Sequence, residues 1–118
     1  NDNIKLVHLG DTGYTNDFIE INKRLGSPDL AFIPIGAYAP RWIMKESHMN
    51  PEEALKTAFD LDAKKSIGMH WGTFILTTEP IEEPKKILEN LIIEEGLGKD
   101  FFSTIIPGKV YPFDRKSN

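Results

Sequence analysis

The sequence predicts an α/β fold in which strands of a parallel sheet alternate with covering helices. Three observations predict it. Short apolar runs and helix-patterned segments take turns along the whole chain. The run Leu30 to Ile35 is continuously apolar, as parallel strands buried on both faces tend to be. Two of the runs end directly in residues that bind metals or move protons: Ile4 to Leu9 leads into Gly10-Asp11-Thr12-Gly13, and Ser66 to Met69 leads into His70-Trp71-Gly72. Ligands collect along the carboxyl edge of such sheets.

Ile4 to Leu9 reads as the first strand. Thr15 to Leu25 reads as a helix, capped by Thr15 or Asn16, with Phe18, Ile21 and Leu25 on one face. Gly26-Ser27-Pro28 stops it. Leu30 to Ile35 is the second strand, and Pro34, which lacks an N–H, ends its ladder. Residues Gly36 to Met49 show no clear period. Asn50-Pro51-Glu52-Glu53 announces the next helix, with a capping side chain, a proline in the first turn and two acids favoured by the dipole. Leu55, Ala58 and Phe59 form its apolar stripe.

Lys64 to Met69 is the third strand and Thr73 to Pro80 a loop. A helix lies within Ile81 to Glu95, with Leu88, Leu91 and Ile92 inward and Gly96 near its end. Glu79, Glu82 and Glu83 read as its charged N-terminus. Phe101 to Ile106 and Lys109 to Phe113 read as two short closing strands around Pro107-Gly108, followed by a polar tail.

The 118 residues suit one domain, residues 1–118, with one core. The proportions, 40% hydrophobic and 27% charged, are those of a globular protein. A net charge of -4 argues against nucleic acid as a partner. No apolar run reaches the ~18 residues of a membrane span, and a cytoplasmic location is the default expectation. There are no cysteines, which excludes disulfides and thiolate metal sites. A metal would need His, Asp, Glu or water, and so be a hard or borderline ion such as zinc, manganese or iron. The abrupt entry into a strand from Asn1, without an initiator Met, fits a piece of a longer protein.

Asp11 reads either as a metal-binding carboxylate at a strand end or as part of a turn that caps the following helix. An aspartic-protease signature also contains Asp-Thr-Gly, but the helix pattern after Gly13 opposes that all-β fold. His70 reads as a metal ligand or as a histidine bonded to a backbone carbonyl. Both stand at equivalent strand ends, which strengthens each. His48, before a helix cap, reads as a pocket residue or an exposed loop histidine. His8, inside the first strand, reads as a structural residue or as one that abuts the site. Tyr14, Tyr38, Arg41 and Trp42 are candidate walls or anion contacts, and Met44 and Met49 supply soft apolar surface suited to an acyl chain.

Taken together, Gly10-Asp11-Thr12-Gly13-Tyr14, Ile33-Pro34-Ile35-Gly36-Ala37-Tyr38, Pro40-Arg41-Trp42, His48 through Ala54 and His70-Trp71-Gly72-Thr73-Phe74 resemble the C-terminal half of metallo-β-lactamase-fold hydrolases. Within that superfamily the chain is most similar to the N-acylphosphatidylethanolamine-hydrolysing phospholipase D group and its bacterial relatives. The resemblance implies half of a four-layer αββα sandwich with two zinc ions in the intact parent. It implies Asp11 as the carboxylate that bridges the metals, His70 as the last histidine ligand, and His48 as a catalytic-pocket residue. Tyr38 and Trp42 are the candidate substrate contacts, and the substrate implied is a phosphodiester or lipid-like molecule.

The same resemblance exposes a gap. The His-x-His-x-Asp-His cluster of the superfamily and a further histidine ligand precede the Gly-Asp-Thr-Gly segment, and neither occurs here. The expectation is a chain inactive alone, whose uncovered sheet face meets the missing N-terminal half or a second copy of itself. Two alternatives stay open: lactone or thioester hydrolysis on the same fold, and a non-catalytic interaction module.

Overall fold

The structure, a computed structural model, describes residues 3–36, 38–39, 41–44, 48–69, 71 and 79–104. Its elements are β1 (Leu6–His8), α1 (Asp17–Leu25), β2 (Leu30–Pro34), α2 (Arg41–Met44), α3 (Pro51–Leu61), β3 (Lys65–Met69), α4 (Glu83–Glu94) and β4 (Phe102–Thr104). The strands form one sheet in the order β1-β2-β3-β4, and every neighbouring pair is parallel. Parallel strands require crossover connections, which α1, α3 and α4 supply.

The register sets two faces. Leu6 pairs with Leu30, Ala31 with Ser66 and Ser66 with Phe102. With a side-chain period of two, Val7, Ala31, Ile33, Ser66, Gly68 and Phe102 share one face. That face carries the core: Ala31, Ile33 and Phe102 pack with Phe18 of α1, Ala54, Leu55, Ala58 and Leu61 of α3, and Leu88 and Ile92 of α4. Burying a side chain such as Ile33, Leu61 or Leu88 stabilises the fold by roughly 1.5–3 kcal/mol each. The approach is close at Gly68, where a Cβ would lie 2.8 Å from Cδ1 of the buried Ile35.

The opposite face carries Leu6, His8, Phe32, Ile67, Met69 and Ser103. Leu6 is 55% exposed, and Phe32, Ile67 and Met69 are only half-buried. Among the described residues all three long helices belong to one layer, since α1 packs on α3 and α3 on α4. One sheet with one helical layer is half of a four-layer αββα sandwich, as the sequence leads one to expect.

Local chemistry explains the best-defined helix. Asn50 accepts from the Glu53 N–H at 2.9 Å, and the Glu53 carboxylate accepts from the Asn50 N–H at 3.2 Å, closing a capping box. Pro51 follows at the first turn. Asp62 ends the helix in the left-handed region, at φ 54°.

Several expectations need correction. β1, β2 and β3 are shorter than the segments read as strands, and the expected strand from Phe101 to Ile106 is seen as β4, Phe102–Thr104, its last two positions lying outside the described residues. The proposed strand at Lys109 to Phe113 lies outside the described residues. The aperiodic segment after Gly36 holds one helical turn, α2. Phe59 does not join the inner stripe of α3: it is 51% exposed and stacks its ring beside Phe101, while Leu61 takes the buried place. Leu25 is also outward, because α1 ends there at Gly26.

Candidate functional site

Because all four strands run the same way, their carboxyl ends share one edge of the sheet. The segment after β1 leaves at that edge and carries Asp11. α3 returns the chain from there to the start of β3, so its N-terminus, with His48 just before it, lies at the same edge. α2, with Arg41 and Trp42, falls between β2 and α3 on that side.

At the end of β1 the Leu9 N–H still pairs with the Phe32 carbonyl at 3.1 Å. Gly10 then takes φ 67°, a conformation that a side chain would oppose, and the strand turns away. Asp11 follows, exposed. His8 closes this turn: its Nδ1 accepts from the Gly10 N–H at 3.2 Å, and its ring lies 5.7 Å from that of Phe32. The Thr12 hydroxyl donates to the Gly13 carbonyl at 2.9 Å. The turn and the strand end are thus one device, and Asp11 is placed by both.

Tyr38 is buried at 6% exposure, and its hydroxyl donates to the Glu83 carboxylate. Burial, then the Glu83 hydrogen bond and the nearby carboxylates, raise its pKa far above the usual phenol range. The adjacent Ala39 N–H donates to Glu79 at 3.0 Å. Glu79 and Glu83, read from sequence as a charged helix start, therefore also receive the segment that leaves β2. The neighbouring candidate is placed differently: Trp42 is 85% exposed.

Arg41 makes two bonds. Its Nη1 donates to the His48 carbonyl at 3.2 Å, and its Nη2 pairs with Glu53 Oε1 at 2.7 Å. His48 is half-buried and leads into Met49, which is fully buried, and Asn50, the helix cap. Sequence reasoning offered Arg41 as an anion contact and passed over Glu53 beyond its place in the cap. The Asn50-to-Glu53 spacing was the visible signal; the arginine's reach to it was not.

His70 lies outside the described residues, and Trp71 packs partly against the core. Among the described residues no three His, Asp or Glu side chains converge so as to hold a metal ion. The described donor set does not by itself fit a two-metal centre. No helix among the described residues is long and apolar enough to cross a membrane.

The comparisons with known proteins agree with this architecture. Residues 1–71 match the family described as beta-lactamase superfamily domain. The chain is 45% identical over 111 residues to the mitochondrial N-acyl-phosphatidylethanolamine-hydrolyzing phospholipase D of Saccharomyces cerevisiae, covering 92% of this chain and 24% of that protein. It is 42% identical over 113 residues to N-acyl-phosphatidylethanolamine-hydrolyzing phospholipase D 1 of Caenorhabditis elegans, covering 93% of this chain and 32% of the relative. Among solved structures it is similar to Igni18, a metallo hydrolase from the archaeon Ignicoccus hospitalis. The TM-score is 0.61 at 30% identity, over 96% of this chain and 43% of that one. The chain thus spans about a quarter to a third of the length of these two curated relatives. From a family match over residues 1–71, and from two relatives 42–45% identical that cover more than nine-tenths of it, the chain belongs to the beta-lactamase superfamily domain family.

Proposed function

We propose that this chain is the C-terminal half of a metal-dependent phosphodiesterase of the phospholipase D type, acting on a phospholipid or similar phosphodiester. The observation that carries the proposal is the shared carboxyl edge, where the segments bearing Asp11, Trp42 and His48 open side by side. The similarity to two N-acyl-phosphatidylethanolamine-hydrolyzing enzymes supports the substrate class.

Asp11 and His70 are the metal ligands contributed by this chain, and the remaining ligands come from the preceding half. When bound, a pair of zinc ions would supply a water activated at neutral pH and positive charge for the phosphoryl oxygens. The chain's own residues frame that chemistry. The Gly10 turn and the His8 ring nitrogen hold the Asp11 segment, and the α3 cap holds the backbone beside His48. Trp42 meets substrate at the rim, and Tyr38, bound to Glu83, anchors the segment that leaves β2. The half-buried face with Phe32, Ile67 and Met69 is the seat of the second sheet.

The test is metal analysis with kinetics on the full-length protein. Asp11→Ala and His70→Ala should each deplete bound metal and abolish phosphodiester hydrolysis. Unchanged metal content and rate in both variants would defeat the assignment. Hydrolysis of a lactone with no action on a phosphodiester would keep the metal site and replace the substrate class.

A further inference from the structure

Resting on that hydrolase reading, we propose that Arg41 is a positioning residue for His48, working with Glu53 as a clamp on the loop at the carboxyl edge. The guanidinium spans two acceptors in different directions, the His48 carbonyl at 3.2 Å and Glu53 Oε1 at 2.7 Å. Glu53 is itself fixed, because the same Oε1 accepts from the Asn50 N–H at 3.2 Å and its backbone is in the first turn of α3. One carboxylate oxygen therefore holds the chain directly at residue 50 and, through Arg41, at residue 48.

Between these two points the chain is held by packing. Met49 is fully buried, and its sulfur lies 3.5 Å from the Thr57 hydroxyl, which donates to the Glu53 carbonyl at 2.8 Å. Three consecutive residues are thus tied to α3 by three different means: a guanidinium, a buried thioether and a helix cap. Such a tether fixes the His48 backbone, which is one condition for placing an imidazole reproducibly at a reacting centre.

The clamp is suited to an arginine. Its planar fork reaches two acceptors at once, whereas a lysine ammonium on a flexible stem is a point charge. The side chains of Arg41 and Glu53 are 32% and 21% exposed, so solvent screens the pair less than a fully exposed one. Arg41 also belongs to α2, next to Trp42, so the same contact holds the rim residue and the pocket residue in a fixed relation.

The experiment is a double-mutant cycle in the full-length protein, with a chromogenic phosphodiester and a chromogenic lactone as probes. Arg41→Lys should lower kcat about tenfold, with KM and bound metal little changed. In a His48→Ala background the same substitution should change kcat less than about twofold, since the residue it acts through is gone. Glu53→Gln should reproduce the Arg41→Lys pattern. Hydrogen exchange supplies the readout that does not need activity: Arg41→Lys should speed exchange across residues 48–50 and leave 55–61 protected.

An equal loss in both backgrounds would overturn the positioning role, and unaltered exchange at 48–50 would overturn the clamp. Hydrolysis of the lactone alone would move the substrate class and still decide the role of Arg41 on that probe. A protein that hydrolyses neither ester overturns the hydrolase reading together with the catalytic half of this proposal, and the exchange measurement then decides the clamp.

Discussion

The Tyr38 hydroxyl donates to the Glu83 carboxylate across 45 residues of sequence. This bond joins the segment that leaves β2 to the first turn of α4. It is made where the ring is almost wholly removed from water, so the tyrosine cannot readily exchange it for solvent. Tyr38→Phe should cost about 1–3 kcal/mol, because the Glu83 carboxylate loses its donor in a partly buried setting. Glu83→Gln should cost less, since an amide oxygen still accepts. Urea unfolding of the two single variants and the double variant measures the coupling, and additive losses would count against the bond.

Tyr14 predicts an alkaline signature. Its hydroxyl donates to Asp60, and this hydrogen bond, then burial, raises the phenol pKa to about 12 from the usual 10. The folded state therefore holds the phenolic proton more tightly than the unfolded state does. The stability it confers is fully present below pH 10 and is lost as pH rises through about 12. Tyr14→Phe should flatten the wild-type decline between those values. Denaturation midpoints at pH 9 and pH 11, compared between the two proteins, check the sign.

Gly68 predicts an overpacking effect. A methyl group added there meets the Ile35 side chain, with Cδ1 at 2.8 Å and Cγ2 at 3.2 Å. Ile35 is fully buried and has little room to withdraw. Gly68→Ala should cost about 1–3 kcal/mol. Gly98→Ala, where a Cβ meets nothing within 4 Å, is the control and should be near neutral in a thermal melt.

The half-buried sheet face predicts an asymmetry between two isoleucines. Ile67 lies at the centre of that face, and Ile93 is 75% exposed on α4. If a second sheet seats on the face, Ile67→Lys in the full-length protein buries an unpaired charge and should lower yield and melting temperature sharply. Ile93→Lys should be tolerated. Equal tolerance of both would argue against a covered face.

What could be read from the sequence was what depended on neighbours in the chain. Asn50-Pro51-Glu52-Glu53 marked the start of α3 by residue type and order alone, and the helix begins there. The strand positions followed from apolar runs, though Ile4 and Leu9 proved to flank β1 rather than extend it. Phe59 shows the limit of a periodic stripe. Helical spacing places it near the inner face, but the contact with Phe101 that holds it outside comes from a residue 42 positions away. Tyr38 with Glu83 and Arg41 with His48 were hidden for the same reason, since a hydrogen bond closed by folding leaves no local pattern.

The sheet's spatial order repeats its order along the chain. Each strand finds its partner in the next one synthesised, as Leu6 does in Leu30 and Ser66 in Phe102. Among the described residues no strand has to be threaded between two that have already paired. Loop-closure cost rises slowly with length, by only about 0.6 kcal/mol for each doubling, and these closures are few and similar. Each crossover can therefore add one rung to a neighbour already in place, and because α3 packs on both α1 and β2, the helix that His48 leads into is also the one that secures the first two strands.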